Sequence, residues 1–435
     1  MSLRADAKVG LTMLAWRAGL RAQAAFGDPM SKILSRSPKT QPYPDYELVR
    51  ARGELSRSKL GVHVTASHAL ANSILRDSRF GVQSAAGLTR DEWQGGSADP
   101  DRVTNPIDQS FLGLDPPRHT ELRRLVGPWF TPRALRERTG RIEQIVDRFL
   151  DELRDRPQFD LIGDFAVRVP IQVICDLLGV PDSEYPRFLR WGAHVALSLD
   201  STWTLRQYRQ LQAALHEMDR FFADLLDERR AHPADDVVSD LVRAEAAGGP
   251  KVTQTDLLAT AELLLVAGFE TTVNLIGNGA LRLLHDDGAR DWLLTNPDRT
   301  PDLVEEILRF DPPVQHTMRI AHEPITLAGV DLAADSGVVV LLAGANRDPK
   351  VFDRPDEFDP ERANNREHLA FSAGIHYCLG AGLARVEAAV ALRALFQRYP
   401  TLRAVGDPVH RRTRNIHGVL KLPVAGVPAR RTQPA

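Results

Sequence analysis

Cysteine is scarce in this sequence, which contains two among its 435 residues. Because Cys175 and Cys378 are far apart and no CxxC pair exists, the sequence predicts neither a disulfide framework nor a paired-cysteine zinc site. Such cysteine usage fits a reducing cytoplasm best. Excess charge is missing too, since the net charge at pH 7 is −2. We therefore expect no strong attraction of the whole chain to nucleic acid or to an anionic membrane.

Long apolar runs are missing from the N-terminus. Residues 9–20 are apolar, but Arg17 interrupts them, and a transmembrane anchor needs about 20 mostly apolar residues. An amphipathic surface helix is the favoured interpretation, with a signal peptide or a weak membrane contact as alternatives. Internal repeats and low-complexity linkers are also absent. We interpret residues 1–40 as an N-terminal extension and residues 41–435 as a single domain, expected to be a monomer.

Helical periodicity, by contrast, is abundant. The apolar pattern predicts helices over residues 118–126, 133–154, 164–178, 183–231, 234–247, 253–287, 301–310 and 379–398. Shorter runs predict a hairpin with its turn near Lys59, and strands over 325–342 and beyond residue 400. A polar stretch over 84–110 predicts a long loop, and long loops in compact domains are often functional. The predicted fold class is mainly α with small antiparallel β-sheets.

One predicted helix, over residues 253–287, combines a core-like apolar pattern with polar residues in its middle. Thr253 and Asp256 predict a capping box at its start. Gly268 costs about 1 kcal/mol relative to alanine in a helix, and a buried, unpaired carboxylate at Glu270 costs several kcal/mol more. We favour a local widening of the helix, in which Thr271 bonds the carbonyl four residues back and leaves a polar notch. A partly exposed turn with an ordinary glycine is the alternative.

One of the two cysteines lies in a glycine-rich stretch, FSAGIHYCLGAGLAR at residues 371–385. Cys378 precedes a predicted helix, whose N-terminus favours a thiolate, whereas Cys175 in an apolar helix is interpreted as a buried, inert thiol. A nucleophilic role is disfavoured because His376, two residues away, is poorly placed as a base. A phosphate loop is disfavoured because the third glycine of GxGxxG is missing. These exclusions suggest a metal whose other ligands are not protein, and heme iron bound by a cysteine thiolate is one such case.

Five motifs resemble those of one family, the bacterial cytochrome P450 enzymes, and they occur in the family's order. The stretch 371–385 closely resembles the heme-binding signature FxxGxHxCxGxxLAR. AGFETT at 267–272 resembles the oxygen-binding segment of the family's long central helix. EILR at 306–309 resembles the ExxR motif, and residues 345–362 resemble the segment that supplies its partner arginine. LDPPRHTELRR at 114–124 resembles the HxxxR helix.

The resemblance implies a cytochrome P450 fold that holds heme b between the long central helix and the cysteine loop, with Cys378 as the iron ligand. The other residues implied in heme binding are His119, Arg123, Ala267, Gly268, Arg319, Phe371, His376 and Gly380. His119 and Arg123 are four residues apart and share one helix face, for which a solvated surface is the alternative. Ser372 and Phe269 depart from the family, standing where a glycine and a histidine are common.

The resemblance also implies a buried structural ion network of Glu306, Arg309 and Arg362. Glu305 is four residues from Arg309, so spacing alone does not choose between the two glutamates. The family pattern chooses Glu306.

The implied activity is that of a monooxygenase, which inserts one atom of O2 into a C–H bond or a double bond of a small organic substrate. Thiolate ligation favours O–O cleavage, and the resemblance assigns proton delivery to Glu270 and Thr271. A peroxygenase that uses hydrogen peroxide and a non-catalytic heme carrier or sensor are the alternatives. The retained acid–threonine pair disfavours both.

Electrons are expected from a separate ferredoxin-type protein, because no reductase domain is recognisable in the sequence. Residues 118–141 contain seven arginines and two glutamates, and such a basic segment suits an acidic partner. A solvated charged helix is the alternative. The substrate is expected to be moderately hydrophobic, in a pocket whose lining includes Phe269, Val314, Thr317 and Ile416.

Overall fold

The structure is a computed structural model that describes residues 3–37, 41–88, 104–195, 204–246 and 252–429. These residues are mainly helical with small sheets, which confirms the predicted fold class. The α-helices are α1 (Leu3–Ala25), α2 (Pro29–Ser35), α3 (Tyr43–Arg50), α4 (His68–Arg76), α5 (Arg118–Val126), α6 (Pro132–Glu152), α7 (Arg168–Leu178), α8 (Tyr185–Val195), α9 (Leu205–Ala231), α10 (Val237–Ala246), α11 (Gln254–His285), α12 (Asp287–Thr295), α13 (Thr300–Phe310), α14 (Leu342–Ala345) and α15 (Ala381–Arg398).

Helix α11 forms the centre of the molecule. Both halves of the predicted capping box are present at its start, because the Thr253 and Asp256 side chains each accept the other residue's backbone N–H. The helix packs against α7, α8, α9 and α15. Among the described residues, α11 is the one helix that is long and apolar enough to cross a membrane, and 83% of its most apolar window is buried inside the protein. That burial is expected of a core helix.

The strands are short and lie at the periphery of the helical core. They are β1 (Ser56–Arg57), β2 (His63–Thr65), β3 (Phe80–Gly81), β4 (Gln158–Asp160), β5 (Thr317–Ala321), β6 (Ile325–Leu327), β7 (Val330–Leu332), β8 (Gly337–Val340), β9 (Arg403–Ala404), β10 (Val409–His410), β11 (Val419–Lys421) and β12 (Pro423–Ala425).

The largest sheet has five strands in the order β1–β2–β8–β5–β3. The predicted hairpin near Lys59 is confirmed as the antiparallel pair β1–β2. Strand β5 runs antiparallel to β8, with Arg319 opposite Val338. The pair β2–β8 is parallel, which the prediction of antiparallel sheets did not include. This sheet carries Thr317 and Arg319 on β5.

Two helix predictions need correction. The single helix predicted over 183–231 is wrong, because α8 ends at Val195 and α9 begins at Leu205. Thr204 is extended and forms a capping box with Gln207, so a new helix starts there. The helix predicted from residue 164 begins instead with a π-helical turn, Ile162–Ala166. Much of the predicted long loop, residues 89–103, lies outside the described residues.

The N-terminal helices pack on the rest of the chain. Leu20, Met30 and Ile33 are buried in one cluster with side chains of α3, β2 and β8, among them Tyr46 and Val339. The extension predicted over residues 1–40 therefore shares a core with later elements of the chain, and the division at residue 40 stays a prediction.

Candidate cofactor and catalytic site

The cysteine loop is a short turn that leads into α15. A 3-10 turn, Gly374–His376, precedes Cys378, whose backbone N–H donates to the Phe371 carbonyl at 2.9 Å. The Cys378 side chain is reachable by solvent, although protein surrounds it on most sides. Burial raises the pKa of the Cys378 thiol, and the Gly380 N–H together with the Arg123 guanidinium opposes that rise by favouring the thiolate.

Backbone geometry in this loop explains two of its residues. Gly374 has a φ of +69°, and a Cβ there would lie 2.1 Å from the Leu75 carbonyl oxygen, so only glycine fits against α4. Ser372 also has a positive φ, of 61°, which explains why a glycine is common at this position in the resembling family. The serine brings a hydroxyl, which accepts a hydrogen bond from Arg319 at 3.3 Å.

Basic side chains converge on the space next to the loop. The rings of His119 and His376 are 4.5 Å apart, and neither ring nitrogen of the buried His119 has a hydrogen-bond partner among the described residues. Burial lowers the pKa of His119 to about 4, with His376 and Arg123 adding to the effect. Arg123 extends from the same helix, α5, and donates to the Tyr377 carbonyl at 2.6 Å.

Arg319 is as deeply buried as His119 in this cluster of basic residues. It is 3% exposed and donates to the Thr317 hydroxyl, the Met318 carbonyl and the Ser372 hydroxyl. Within the described residues no carboxylate lies within ion-pair distance of it, and burial lowers its pKa to about 10. A buried guanidinium bonded only to neutral groups is suited to the carboxylates of a ligand.

Sequence reasoning missed Asp115, which lies at the edge of this cluster. Its carboxylate is 3.6 Å from His376 Nε2 and accepts the backbone N–H groups of Val82 and Gln83. Burial alone would raise the pKa of Asp115, but these contacts lower it. The residue stands in the quoted HxxxR-type stretch, four positions before His119, and that spacing was the available signal.

The middle of α11 presents an accessible strip on a helix that is otherwise buried. Ala267 is exposed and Gly268 and Thr271 are partly exposed, whereas Glu270 and Thr272 are buried. The Thr271 hydroxyl donates to the Ala267 carbonyl at 2.8 Å, the bond that the sequence predicted. The helix is continuously α-helical from Gln254 to His285. The predicted local widening is therefore wrong, since the threonine bond forms without interrupting the helix.

Glu270 points away from that strip into the protein. It is 2% exposed and forms an ion pair with Arg411, whose Nε also donates to the Asn274 side chain at 2.8 Å. Burial raises the pKa of Glu270, and Arg411 opposes that rise. Sequence reasoning missed Arg411, which lies in the segment between β10 and β11 and has no local relation to the helix.

Glu306 and Arg309 form a fully buried ion pair on α13. Arg309 donates to both carboxylate oxygens, at 2.8 and 2.7 Å, and both side chains have no exposed surface. Arg309 also donates to the backbone carbonyls of Asn346, Pro355 and Glu357. The third predicted member, Arg362, is 3.5 Å from Glu306.

Glu305 belongs to a different buried group, which the sequence did not predict. It accepts from Arg385 at 2.7 and 3.1 Å and contacts His368 at 2.9 Å. Burial alone would raise the pKa of Glu305, but His368 and Arg385 lower it to about 2. The guanidinium of Arg385 also lies 4.5 Å from the centre of the Phe371 ring, so this group supports the cysteine loop.

The residues predicted to line a substrate pocket separate into two groups. Val314 and Thr317 are partly exposed, and Val314 forms an isolated bridge with the buried Ile416. Phe269 is buried in the main core and packs so closely on α8 that a Cβ at Gly192 would lie 2.5 Å from its ring. Phe269 and Ile416 are both buried, and the assignment of these four residues to a substrate pocket stays a prediction.

The basic segment over residues 118–141 is partly neutralised. Arg118 pairs with Glu121 and Asp256, Arg133 pairs with Glu137, and Arg141 pairs with Asp176. Two further arginines of the segment, Arg124 and Arg136, are exposed and form no ion pair with another described residue.

Comparisons with known proteins agree with this geometry. The family model described as cytochrome P450 matches residues 300–425. The chain is 39% identical over 430 residues to "Putative cytochrome P450 140" of Mycobacterium tuberculosis, covering 97% of this chain and 98% of the relative. It is 39% identical over 328 residues to 6-deoxyerythronolide B hydroxylase of Saccharopolyspora erythraea, covering 75% and 80% of the two chains.

Solved structures give the same result. The ligand-free structure of Mycobacterium smegmatis CYP164A2 matches with a TM-score of 0.83 at 36% identity, covering 91% of this chain and 99% of that one. P450BioI, solved in complex with a hexadec-9Z-enoic acid ligated acyl carrier protein, matches with a TM-score of 0.81 at 32% identity, covering 89% and 98%.

Proposed function

Because this chain belongs to the cytochrome P450 family of monooxygenases, whose cofactor is heme b, we propose that Cys378 ligates the heme iron and that the neighbouring basic side chains bind the heme carboxylates. One observation carries the assignment: the buried donors of His119 and Arg319 converge beside the cysteine without a carboxylate partner among the described residues. Heme carboxylates satisfy donors of this kind. Arg123 and His376 complete the set, and Phe371 and Gly380 flank the cysteine.

The accessible strip on α11 is the opposite wall of the proposed heme site. Ala267 and Gly268 have little or no side chain there, so the helix backbone can closely approach a flat ligand. Heme with a thiolate ligand supplies the activation of O2, because electron donation from sulfur favours O–O cleavage. The chain's own task is to position the substrate, exclude water and move protons.

Proton delivery is assigned to Thr271 and Glu270. The Thr271 hydroxyl faces the accessible strip and is held by the Ala267 carbonyl, so its oxygen is left as an acceptor for a proton donor at the heme. Glu270 is the buried proton source behind it. Burial favours the protonated form of Glu270, which can give up a proton, whereas the ion pair with Arg411 favours the carboxylate form.

Electrons are proposed to arrive from a ferredoxin-type partner at the surface outside the cysteine loop. A recess of about 300 Å³ beside the loop is lined by Arg76, Arg366, Arg385 and Tyr377, among others. The exposed Arg124 on α5 and Arg136 on α6 extend the positive charge. An acidic partner is attracted to such a surface by electrostatic steering.

The electron-transfer proposal is tested with charge-reversal variants. Arg124→Glu and Arg136→Glu should slow reduction by an acidic ferredoxin severalfold at low salt and less at high salt, because steering is screened. Arg220→Glu, an exposed reversal on α9, is the matched control and should change little. Equal effects at all three positions would contradict the proposed docking surface.

The substrate proposed is a moderately hydrophobic small organic molecule. Relatives named for such compounds support this class, among them 6-deoxyerythronolide B hydroxylase and a myxobacterial structure with bound myristic acid. Val314 and Thr317 on the partly exposed stretch before and within β5 are proposed as lining residues. A cytoplasmic location is proposed alongside, since it suits the reduced cysteines.

The monooxygenase proposal is tested by screening compounds for a binding-induced shift of the heme absorption band, and then measuring product formed per NADH with a surrogate ferredoxin and reductase. NADH-dependent product supports the proposal. Product formed with hydrogen peroxide but not with NADH would identify a peroxygenase. Heme-loaded protein that forms no product with either NADH or hydrogen peroxide would identify a carrier or sensor.

A further inference from the structure

Helix α1 has an apolar face that no described residue covers. Leu11 is 68% exposed and Leu14 is 65% exposed, and Phe26, directly after the helix, is 79% exposed. Such values are unusual for large apolar side chains that lie close together on one surface. Packing against the described residues therefore does not explain the apolar character of this face.

Helical geometry gathers these side chains into one stripe. At about 100° per residue, Leu11, Leu14, Ala18 and Ala22 fall within one arc, and Ala15 and Ala25 fall within the same arc. All six residues are exposed. The stripe runs for about 21 Å along the helix.

The opposite side of α1 holds the helix on the protein. Leu20 is 2% exposed and packs in a cluster with Met30 and Ile33 of α2. Near the other end of α1, Gly10 lies beside Leu205 at the start of α9, since a Cβ there would be 3.7 Å from the leucine side chain. One face of α1 is thus used for internal packing, and the exposed stripe is a second, separate apolar face.

The charge near this stripe is positive. From residue 10 to residue 27 the charged residues are Arg17 and Arg21, which flank the stripe on one side. Neither forms an ion pair with another described residue. Lys59 lies 5.5 Å from the Phe26 ring at the end of the stripe. Residues 1–27 contain four basic residues and one acidic residue, in a chain whose net charge is −2.

We propose that this face of α1 docks the enzyme on an anionic phospholipid surface, with the helix lying in the plane of the interface. An apolar stripe flanked by arginines is the pattern of interfacial helices. A second copy of the chain is the less suitable occupant, because pairing two stripes would bring the arginines of both copies together.

The test is co-sedimentation of the heme-loaded enzyme with vesicles of phosphatidylcholine alone or mixed with phosphatidylglycerol, at low and high salt. We expect binding to the mixed vesicles, reduced by salt, and much weaker binding to phosphatidylcholine alone. Arg17→Gln combined with Arg21→Gln should weaken binding by about twenty-five-fold, because each arginine near an anionic surface contributes about a factor of five.

A second variant tests the apolar stripe. Leu11→Gln combined with Leu14→Gln should weaken vesicle binding by at least about tenfold. It should leave the heme spectrum unchanged, because both side chains are exposed. Leu420→Gln, on β11 and 46% exposed in the intact enzyme, is the matched control and should retain binding. An absence of binding to anionic vesicles at low salt would overturn the proposal. The proposal would also be overturned if sedimentation velocity without lipid showed that the enzyme self-associates and that the Leu11 and Leu14 substitutions convert it to a monomer.

Discussion

Replacing Arg309 by alanine should prevent normal accumulation of the folded enzyme. Arg309 makes two hydrogen bonds to Glu306 and three to backbone carbonyls, and neither side chain has exposed surface. The substitution leaves the Glu306 carboxylate buried with Arg362 at 3.5 Å and removes a donor from three backbone carbonyls. Breaking a buried pair by removing one partner costs about 3–5 kcal/mol, against a typical total stability of about 5–15 kcal/mol.

The assay is the yield of soluble heme-loaded protein, together with its thermal unfolding midpoint. We expect little folded Arg309→Ala protein, and a midpoint lowered by on the order of 5–10 °C in whatever is recovered. Arg366→Ala is the matched control, because Arg366 pairs with Asp302 at the surface, where such a pair is worth at most about 1 kcal/mol. Normal yield and an unchanged midpoint for Arg309→Ala would refute the reasoning that this network is buried and essential to folding.

Three further predictions concern the heme site and its supporting groups. Cys378→Ser should remove the red-shifted absorption band of the ferrous carbon-monoxide complex, whereas Cys175→Ser should keep it; a retained band in a heme-loaded Cys378→Ser enzyme would contradict the ligand assignment. Thr271→Ala should still bind heme and consume NADH, but product per NADH should fall and hydrogen peroxide should rise. Thr272→Ala should change this ratio less, because the Thr272 hydroxyl is held by the Gly268 carbonyl on the buried side. A larger effect of Thr272→Ala would assign the proton path to Thr272 instead. The pKa of Glu305 is lowered to about 2 from its ordinary value of 4.5, so its stabilising contribution is present above about pH 4.5 and is lost as the pH falls toward 2. The free energy of unfolding, measured by circular dichroism, should therefore fall less steeply with decreasing pH in Glu305→Gln than in the wild type over that window. Parallel curves would show that His368 and Arg385 do not lower the pKa of Glu305.

Features with a local sequence pattern were the ones that could be predicted. The capping box at Thr253 and the hydrogen bond from Thr271 to the carbonyl four residues back depend only on spacing along one helix. The break before α9 also had a local signal, Thr204 with Gln207 three residues later, but the apolar periodicity on both sides obscured it. The Glu306–Arg309 spacing was equally visible, yet the family resemblance was needed to choose it over Glu305.

Features that depend on distant parts of the chain had no such signal. Arg411 reaches Glu270 from a segment near the C-terminus, and Arg385 reaches Glu305 from another helix. Nothing in the immediate sequence of a glutamate says which arginine will meet it, because the pairing is set by how the elements pack. The burial of Phe269 has the same origin: its side of α11 is decided by the contact with α8.

The buried cluster of basic side chains has a consequence for the amount of enzyme in a cell. Arg319 and His119 are held inside the protein without carboxylate partners among the described residues, so a carboxylate-bearing cofactor that binds them stabilises the folded chain over the unfolded one. The gain grows with the concentration of free cofactor relative to its dissociation constant. A chain synthesised while heme is scarce should therefore spend more time unfolded and be degraded sooner by cellular proteases. Heme supply would in this way set the abundance of the enzyme as well as its activity.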